Sequence, residues 1–413
     1  MATVRPFKAI RPAKDKAARV TALPYDVMNR TEAAEMAKGN PDSFLHISRS
    51  EIDLPETEDV YCEAVYRKAK ANIKKNLDSG VFVEESRPSL YIYRQEMDGR
   101  SQTGIVGCVS IDEYRDNTIK KHELTRIEKE EDRIRHFDVC GMDTEPVFLT
   151  YRDDKKIRKI VEEYTVKNEP EYDFTGEDGT AHVLYVIEDE CVVEQLCDLF
   201  ASVPSMYIAD GHHRSASACA VGEKRRREHP GYTGDEEFNF FMAVIFPDTD
   251  LRIFDYNRVV SDLAGMTAEE FLSRIREKGF EVKKNGEKAE KPEKPHQFAM
   301  YLEGSWYRLI APDSLIPDDV IGSLDVSVLQ DNILGPLLGI EDPRTDKRID
   351  FVGGIRGLGE LKRRAESDMK VAFAVYPVTV EQLMEIADQG RIMPPKSTWF
   401  EPKLGSGLFM HRI

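Results

Sequence analysis

Cysteine is scarce in this chain and falls in no pattern: six of 413 residues (Cys62, Cys108, Cys140, Cys191, Cys197, Cys219), with no C-x-x-C pair. That argues against a disulfide frame or a zinc site and for reduced, mostly buried thiols of a cytoplasmic protein. No apolar run approaches the roughly 18 residues that a membrane span needs. The start, Met1-Ala2-Thr3-Val4-Arg5-Pro6-Phe7, has no apolar h-region, so no signal peptide is expected. Positive charge is in deficit, 58 Lys and Arg against 75 Asp and Glu, for a net charge of −17. Such a surface is a poor general binder of nucleic acid or anionic membranes, and no basic helix-turn-helix is found. It still leaves room for a small anion in a locally basic pocket.

Several cofactor motifs are missing too. No G-x-x-x-x-G-K-[ST] occurs, and Gly353-Gly354-Ile355-Arg356-Gly357-Leu358-Gly359 is not in G-x-G-x-x-G order, so P-loop and Rossmann readings are set aside. His122-Glu123 is followed by no second histidine one turn later, which rules out the H-E-x-x-H metalloprotease pattern.

What is present suits a large mixed α/β (α+β) protein: 41% hydrophobic and 32% charged residues over a length that supports two or three packed subdomains. Thr31 is the expected N-cap of a helix over 31–39, and residues 55–78 form a longer amphipathic helix. Paired strands over 89–94 and 102–111 turn at Asp98-Gly99. A buried strand is expected over 145–151, helix–strand–helix over 155–204, a helix over 215–229 and another over 320–338.

The most informative stretch is Ser205-Met206-Tyr207-Ile208-Ala209-Asp210-Gly211-His212-His213-Arg214-Ser215-Ala216. An apolar strand enters an Asp-Gly turn and a small-residue helix leaves it, so backbone N–H groups are open where the two meet. Asp-Gly alone is a common turn. A carboxylate, two imidazoles and a guanidinium within five residues have the chemistry of a phosphate site: a bidentate fork, donors near neutral pH, and a carboxylate for a metal or a hydroxyl. Other candidates are Tyr25 and Asp26 in Leu23-Pro24-Tyr25-Asp26, His122-Glu123 at a strand-to-helix boundary, Arg258 at a strand end, and Lys396, Ser397 and Lys403 in the Pro-rich stretch after Met393.

As a set, Val4-Arg5-Pro6-Phe7-Lys8-Ala9, Leu23-Pro24-Tyr25-Asp26-Val27, Lys121-His122-Glu123, Glu145-Pro146-Val147-Phe148, Ile208-Ala209-Asp210-Gly211-His212-His213-Arg214 and Met393-Pro394-Pro395-Lys396-Ser397-Thr398 resemble the DUF1015 family. Members commonly carry His-Arg where this chain has Asn257-Arg258. The order of His122-Glu123, Pro146-Val147 and Asp210-Gly211-His212-His213-Arg214 also resembles the ParB/sulfiredoxin-like superfamily and its free-serine kinases, with residues 155–204 as an insertion. That resemblance implies a ParB-like core over 81–262, a segment 1–80 packed on it, and an α/β subdomain over 263–413 that completes the site. It implies phosphoryl transfer to a small hydroxylated metabolite, L-serine foremost, from ATP, ADP or pyrophosphate with Mg2+. Glu123 is then the base; Asp210 is a metal ligand or hydroxyl orienter, and His212 acts with it. Gly211, His213 and Arg214 cradle phosphate, with His122, Arg258, Lys396 and Lys403 as further contacts and Tyr25, Asp26 and Ser397 on the substrate. The alternative is a nucleotide-binding regulatory protein that transfers nothing; a homodimer is left open.

Overall fold

Near-continuous apolar runs in the middle of the chain form the largest sheet of the computed structural model, which describes residues 2–413. The chain divides into two compact units. The first holds residues up to Lys121, Thr125–Leu251 and Pro402–Ile413; the second holds His122–Leu124 and Arg252–Glu401. The expected mixed α/β class holds.

The first unit is built on an eight-stranded mixed sheet in the order Ile119–Lys120, Met206–Asp210, Val147–Tyr151, Phe240–Pro247, Arg100–Ser110, Leu90–Met97, Ala181–Ile187, Tyr172–Thr175. Ile92, Ile105, Leu149, Met206, Ile208, Phe241 and Ile245 bury one face, and Tyr91, Tyr93, Phe148 and Phe246 are buried as well. With both faces covered, the strands read as continuous apolar runs rather than alternating ones. The Asp98-Gly99 turn forms as its sequence predicts: both residues have positive φ, 52° and 72°, as a two-residue hairpin with the strands' own twist requires. The chain's end returns here, where Met410–Arg412 pairs with Ala9–Pro12 and with Met142–Asp143.

Two helix starts differ from expectation. Asn29, not Thr31, caps the helix Arg30–Met36, because its side chain accepts from Glu32 N–H while Glu32 reaches back to the Asn29 N–H. The longer helix begins at Glu63 rather than near 55. Residues ahead of it form turns instead, with Glu58 N–H on the Pro55 carbonyl and Cys62 N–H on the Asp59 carbonyl, while Arg30 Nη2 gathers the carbonyls of Glu51, Leu54 and Pro55.

The second unit has a six-stranded antiparallel sheet in the order Glu281–Gly286, Ser305–Ile310, Gln297–Leu302, Val371–Ala374, Tyr256–Val260, Ile349–Gly353. Leu361 of the helix Gly357–Ser367 packs with Val259, Tyr301, Trp306 and Ala372. Gly353 and Gly354 answer to packing: a Cβ would lie 2.7 Å from the Trp399 ring at the first and 2.2 Å from Asp255 at the second. The helix expected over 320–338 is shorter, Asp325–Leu329, and widens into a π turn over Gln330–Leu334 that closes on Gly335.

All six cysteines are free: Cys108, Cys140 and Cys219 are buried, Cys62 and Cys197 partly so, and Cys191 is exposed. Among the described residues, no helix is long and apolar enough to cross a membrane.

Candidate active site

The turn at Asp210 is set by one backbone conformation. The strand Met206–Asp210 slips register against Val147–Tyr151 between Ile208 and Asp210, and this bulge re-aims the strand's last residue. Gly211 follows at φ 97°, a left-handed conformation that glycine adopts without strain. Its missing Cβ also matters, since one built there would lie 3.1 Å from the Arg214 guanidinium. The chain therefore turns within one residue, and the helix runs from His212 to Glu228 rather than starting at 215 as expected. His212, His213 and Arg214 thus occupy its first turn.

This helix can enter the core because its residues are small. Ser215, Ala216, Ser217, Ala218 and Gly222 are buried, and a Cβ at Gly222 would lie 2.4 Å from the Phe238 carbonyl oxygen. The serines do not compete with the helix. Ser215 Oγ donates to Gly211 O (3.1 Å) and Ser217 Oγ to His213 O (2.7 Å), the ordinary back-bond to the preceding turn.

Asp210 lies between two cations. Its Oδ1 accepts the Gly211 N–H at 2.9 Å; its Oδ2 lies 3.2 Å from Lys403 Nζ and 3.7 Å from Arg214 Nη2. Burial alone would raise this carboxyl, but Lys403 and Arg214 together outweigh it and hold Asp210 well below the usual carboxylate range. Arg214 is 3% exposed, donates through Nη1 to the Pro146 carbonyl, and has a buried Nε without a hydrogen-bond partner. Burial works against its charge, while Asp210, Asp26 and Glu145 favour it.

Lys403 reaches Asp210 across 193 residues of chain because residues 402–406 are pinned on the sheet. The Gln95 and Gln102 side chains donate to the carbonyls of Lys403 (2.7 Å) and Pro402 (3.3 Å), Tyr93 Oη accepts Gly405 N–H, and Ser406 pairs with Ala22 through two backbone bonds. Gln95 and Gln102 lie on two paired strands, and their burial, which makes the docking, has no mark in the sequence.

Behind Arg214 lies a buried polar layer that motif reading did not single out. Glu145 accepts from Ser406 Oγ at 2.6 Å and lies 4.0 Å from Arg133 Nη1; Arg133 in turn binds Asp132 and stacks 4.1 Å over the Tyr25 ring. Burial raises the Glu145 carboxyl despite Arg214 and Arg133. Tyr25 is buried beneath this guanidinium; Asp26 is exposed and acts on Arg214.

The first unit thus brings Asp26, Asp210, Gly211, His212, His213, Arg214 and Lys403 to one place. His213 has a structural task there: its Nε2 accepts the Arg126 N–H at 3.0 Å, at the head of the helix Ile127–Cys140. The second unit holds His122, Glu123, Arg258, Lys396 and Ser397. Within it, His122 O accepts Met393 N–H (2.8 Å) and Ser397 Oγ donates to Pro394 O (2.6 Å). Arg258 is buried, with its guanidinium on the Tyr256 and Pro395 carbonyls and under the Phe351 ring, so its donors serve the backbone rather than a phosphate. Lys396 lies 5.6 Å from the Tyr256 ring centroid.

For a divalent cation at Asp210, the Lys403 ammonium 3.2 Å from Oδ2 is a competing charge, and Oδ1 already takes the Gly211 N–H.

The DUF1015 profile, described as a protein of unknown function, matches residues 4–327. No protein of curated function matches the chain. Among solved structures, a free serine kinase variant in complex with AMP aligns over 73% of this chain and 92% of its own at 15% identity and TM-score 0.38. A conserved hypothetical protein from Pyrococcus furiosus aligns over 74% and 94% at 16% identity and TM-score 0.37. A C-terminally truncated SbnI from Staphylococcus aureus aligns over 73% and 85% at 11% identity and TM-score 0.39. Likeness at this level assigns no activity.

Proposed function

The chain belongs to the DUF1015 family, and from the chemistry of its Asp210 turn we propose that it is a phosphotransferase acting on a small hydroxylated metabolite, L-serine foremost, with ATP, ADP or pyrophosphate as donor. The observation that carries this reading is the pairing of a glycine-made helix start with a buried Arg214 and a docked Lys403 around one carboxylate. Transfer of a phosphoryl group asks a protein for positioning and charge neutralisation more than for covalent chemistry. The positive end of a helix, a guanidinium fork and an ammonium are suited to that task.

In the proposed reaction the acceptor hydroxyl oxygen forms a bond to phosphorus while the bond from phosphorus to the donor's bridging oxygen breaks. The leaving group, ADP, AMP or phosphate according to the donor, keeps that electron pair. The hydroxyl proton passes to Glu123, assigned as base on its His-Glu motif. Asp210 supplies counter-charge and orients the acceptor, His212 assists it, and Arg214 and Lys403 receive phosphate oxygens at the turn that Gly211 makes. Magnesium is expected to arrive on the donor's phosphates, where such ions keep most of their ligands.

The test is incubation of the full chain with magnesium and L-serine against ATP, ADP and pyrophosphate in turn, read by mass spectrometry for O-phosphoserine. A donor that raises the melting temperature while no acceptor yields a phosphorylated product would favour the nucleotide-binding regulatory reading instead.

A further inference from the structure

The first unit contains a cavity of about 280 Å³ lined by Thr21, Leu23, Met36, Asp178, His182 and Lys403, among others. It adjoins the Asp210 turn through Lys403, whose Nζ lies 3.2 Å from Asp210. Part of its wall comes from the hairpin of Tyr172–Thr175 and Ala181–Ile187, within the stretch read from sequence as an insertion.

His182 gives the cavity a donor of fixed direction. It is 4% exposed, and its Nδ1 lies 2.6 Å from Tyr93 Oη, which itself accepts the Gly405 N–H at 3.2 Å. The phenol hydrogen is thereby left for Nδ1, since the other tautomer would strand a buried O–H. The ring's proton then sits on Nε2, which has no hydrogen-bond partner among the described residues. Burial pushes the imidazole down to about 4, so it remains a neutral donor at pH 7.

Opposite charge lies close by. Asp178 is anchored by accepting Thr180 N–H (3.0 Å) and Thr180 Oγ1 (2.9 Å), and Glu177 stands beside it in the lining. Gly176 keeps the space between acid and imidazole open: a Cβ there would lie 2.9 Å from Asp178 Oδ1 and 3.2 Å from His182 Nε2. An acidic rim, the His182 N–H, a lysine already paired with Asp210 and an apolar wall of Leu23 and Met36 match a small zwitterion better than a polyphosphate, which the two acids would repel.

We infer that this cavity is the acceptor pocket for an amino acid, its ammonium group held by Asp178 and Glu177 and its carboxylate taking the Nε2–H of His182. The inference rests on the phosphotransferase reading for the word acceptor, and on the cavity's own residues for the ligand class.

It is tested by isothermal titration of the full chain with L-serine and, separately, with ADP and with pyrophosphate, on wild type, Asp178→Asn and His182→Gln. Removing one charge-assisted hydrogen bond should weaken L-serine binding by roughly tenfold or more, with donor affinity unchanged. Asp178 is exposed, so its variant reports even where the buried His182→Gln fails to fold. Failure of L-serine to bind wild type, binding unaltered in Asp178→Asn, or a loss confined to ADP or pyrophosphate would each overturn the inference. L-serine binding that depends on Asp178 and His182, without O-phosphoserine under any donor, would sink the phosphotransferase reading and retain the pocket.

Discussion

Replacing Lys403 with methionine removes one charge from the Asp210 turn and keeps most of the side-chain stem. The backbone should not follow, because Gln95, Gln102 and Tyr93 hold residues 402–405 by contacts that do not involve the ammonium group. What is lost is an ion pair at 3.2 Å between side chains 10% and 26% exposed. Breaking a fully buried pair costs about 3–5 kcal/mol and an exposed one about 0–1. Arg214 remains 3.7 Å from the carboxylate, so a loss of about 2 kcal/mol is expected, or about 4–8 °C in Tm. The sign in pH follows from the lowered Asp210 carboxyl. Its stabilisation is complete above its unfolded value of about 4 and is lost as pH falls through the native one. The wild-type advantage over Lys403→Met should therefore be full at pH 7 and narrow only in acid. Thermal and urea unfolding of Lys403→Met, Asp210→Asn and the double variant give the coupling directly. A coupling below about 0.5 kcal/mol at pH 7 would refute the clamp.

Gly211→Ala should cost about 1–2 kcal/mol from its positive φ alone, with further disturbance of Arg214, whose guanidinium the new Cβ would meet at 3.1 Å; urea unfolding measures it. Asp143 is buried and pushed up to about 7, mainly by desolvation. The folded state then binds the extra proton between about pH 4 and that value, so this residue makes stability fall as pH rises through the window. Asp143→Asn should flatten that slope, as seen by thermal unfolding across pH, while giving up one of the two backbone N–H groups, Glu145 and Met242, that the carboxylate accepts. Glu123→Gln should lower phosphotransfer turnover by roughly two to four decades if Glu123 is the base; near-wild-type turnover removes it from that role.

Local features were legible where local chemistry decides them. Asp98-Gly99 fixes its own hairpin, and Asp210-Gly211 followed by small residues identifies the strand-to-helix turn with its charged groups. Boundaries failed where a distant side chain intervenes, as where Arg30 gathers the carbonyls of Glu51, Leu54 and Pro55 around the turns that precede the helix. The same holds at the site. A lysine-bearing C-terminal loop was visible as a candidate, but its partner, Asp210, depends on Gln95 and Gln102, which are unremarkable in sequence. Glu145 and Arg133 gave no signal beyond a motif residue and a charged helix, since their importance lies in burial behind Arg214. Arg258 shows the converse: a basic residue at a strand end whose donors turn inward to carbonyls.

The central claim is tested most directly by comparing wild type and Asp210→Asn for O-phosphoserine formed from L-serine and magnesium with each of ATP, ADP and pyrophosphate. Wild type should form product from at least one donor, and the variant almost none. Product formed equally well by Asp210→Asn, or by neither protein under any donor, would contradict it.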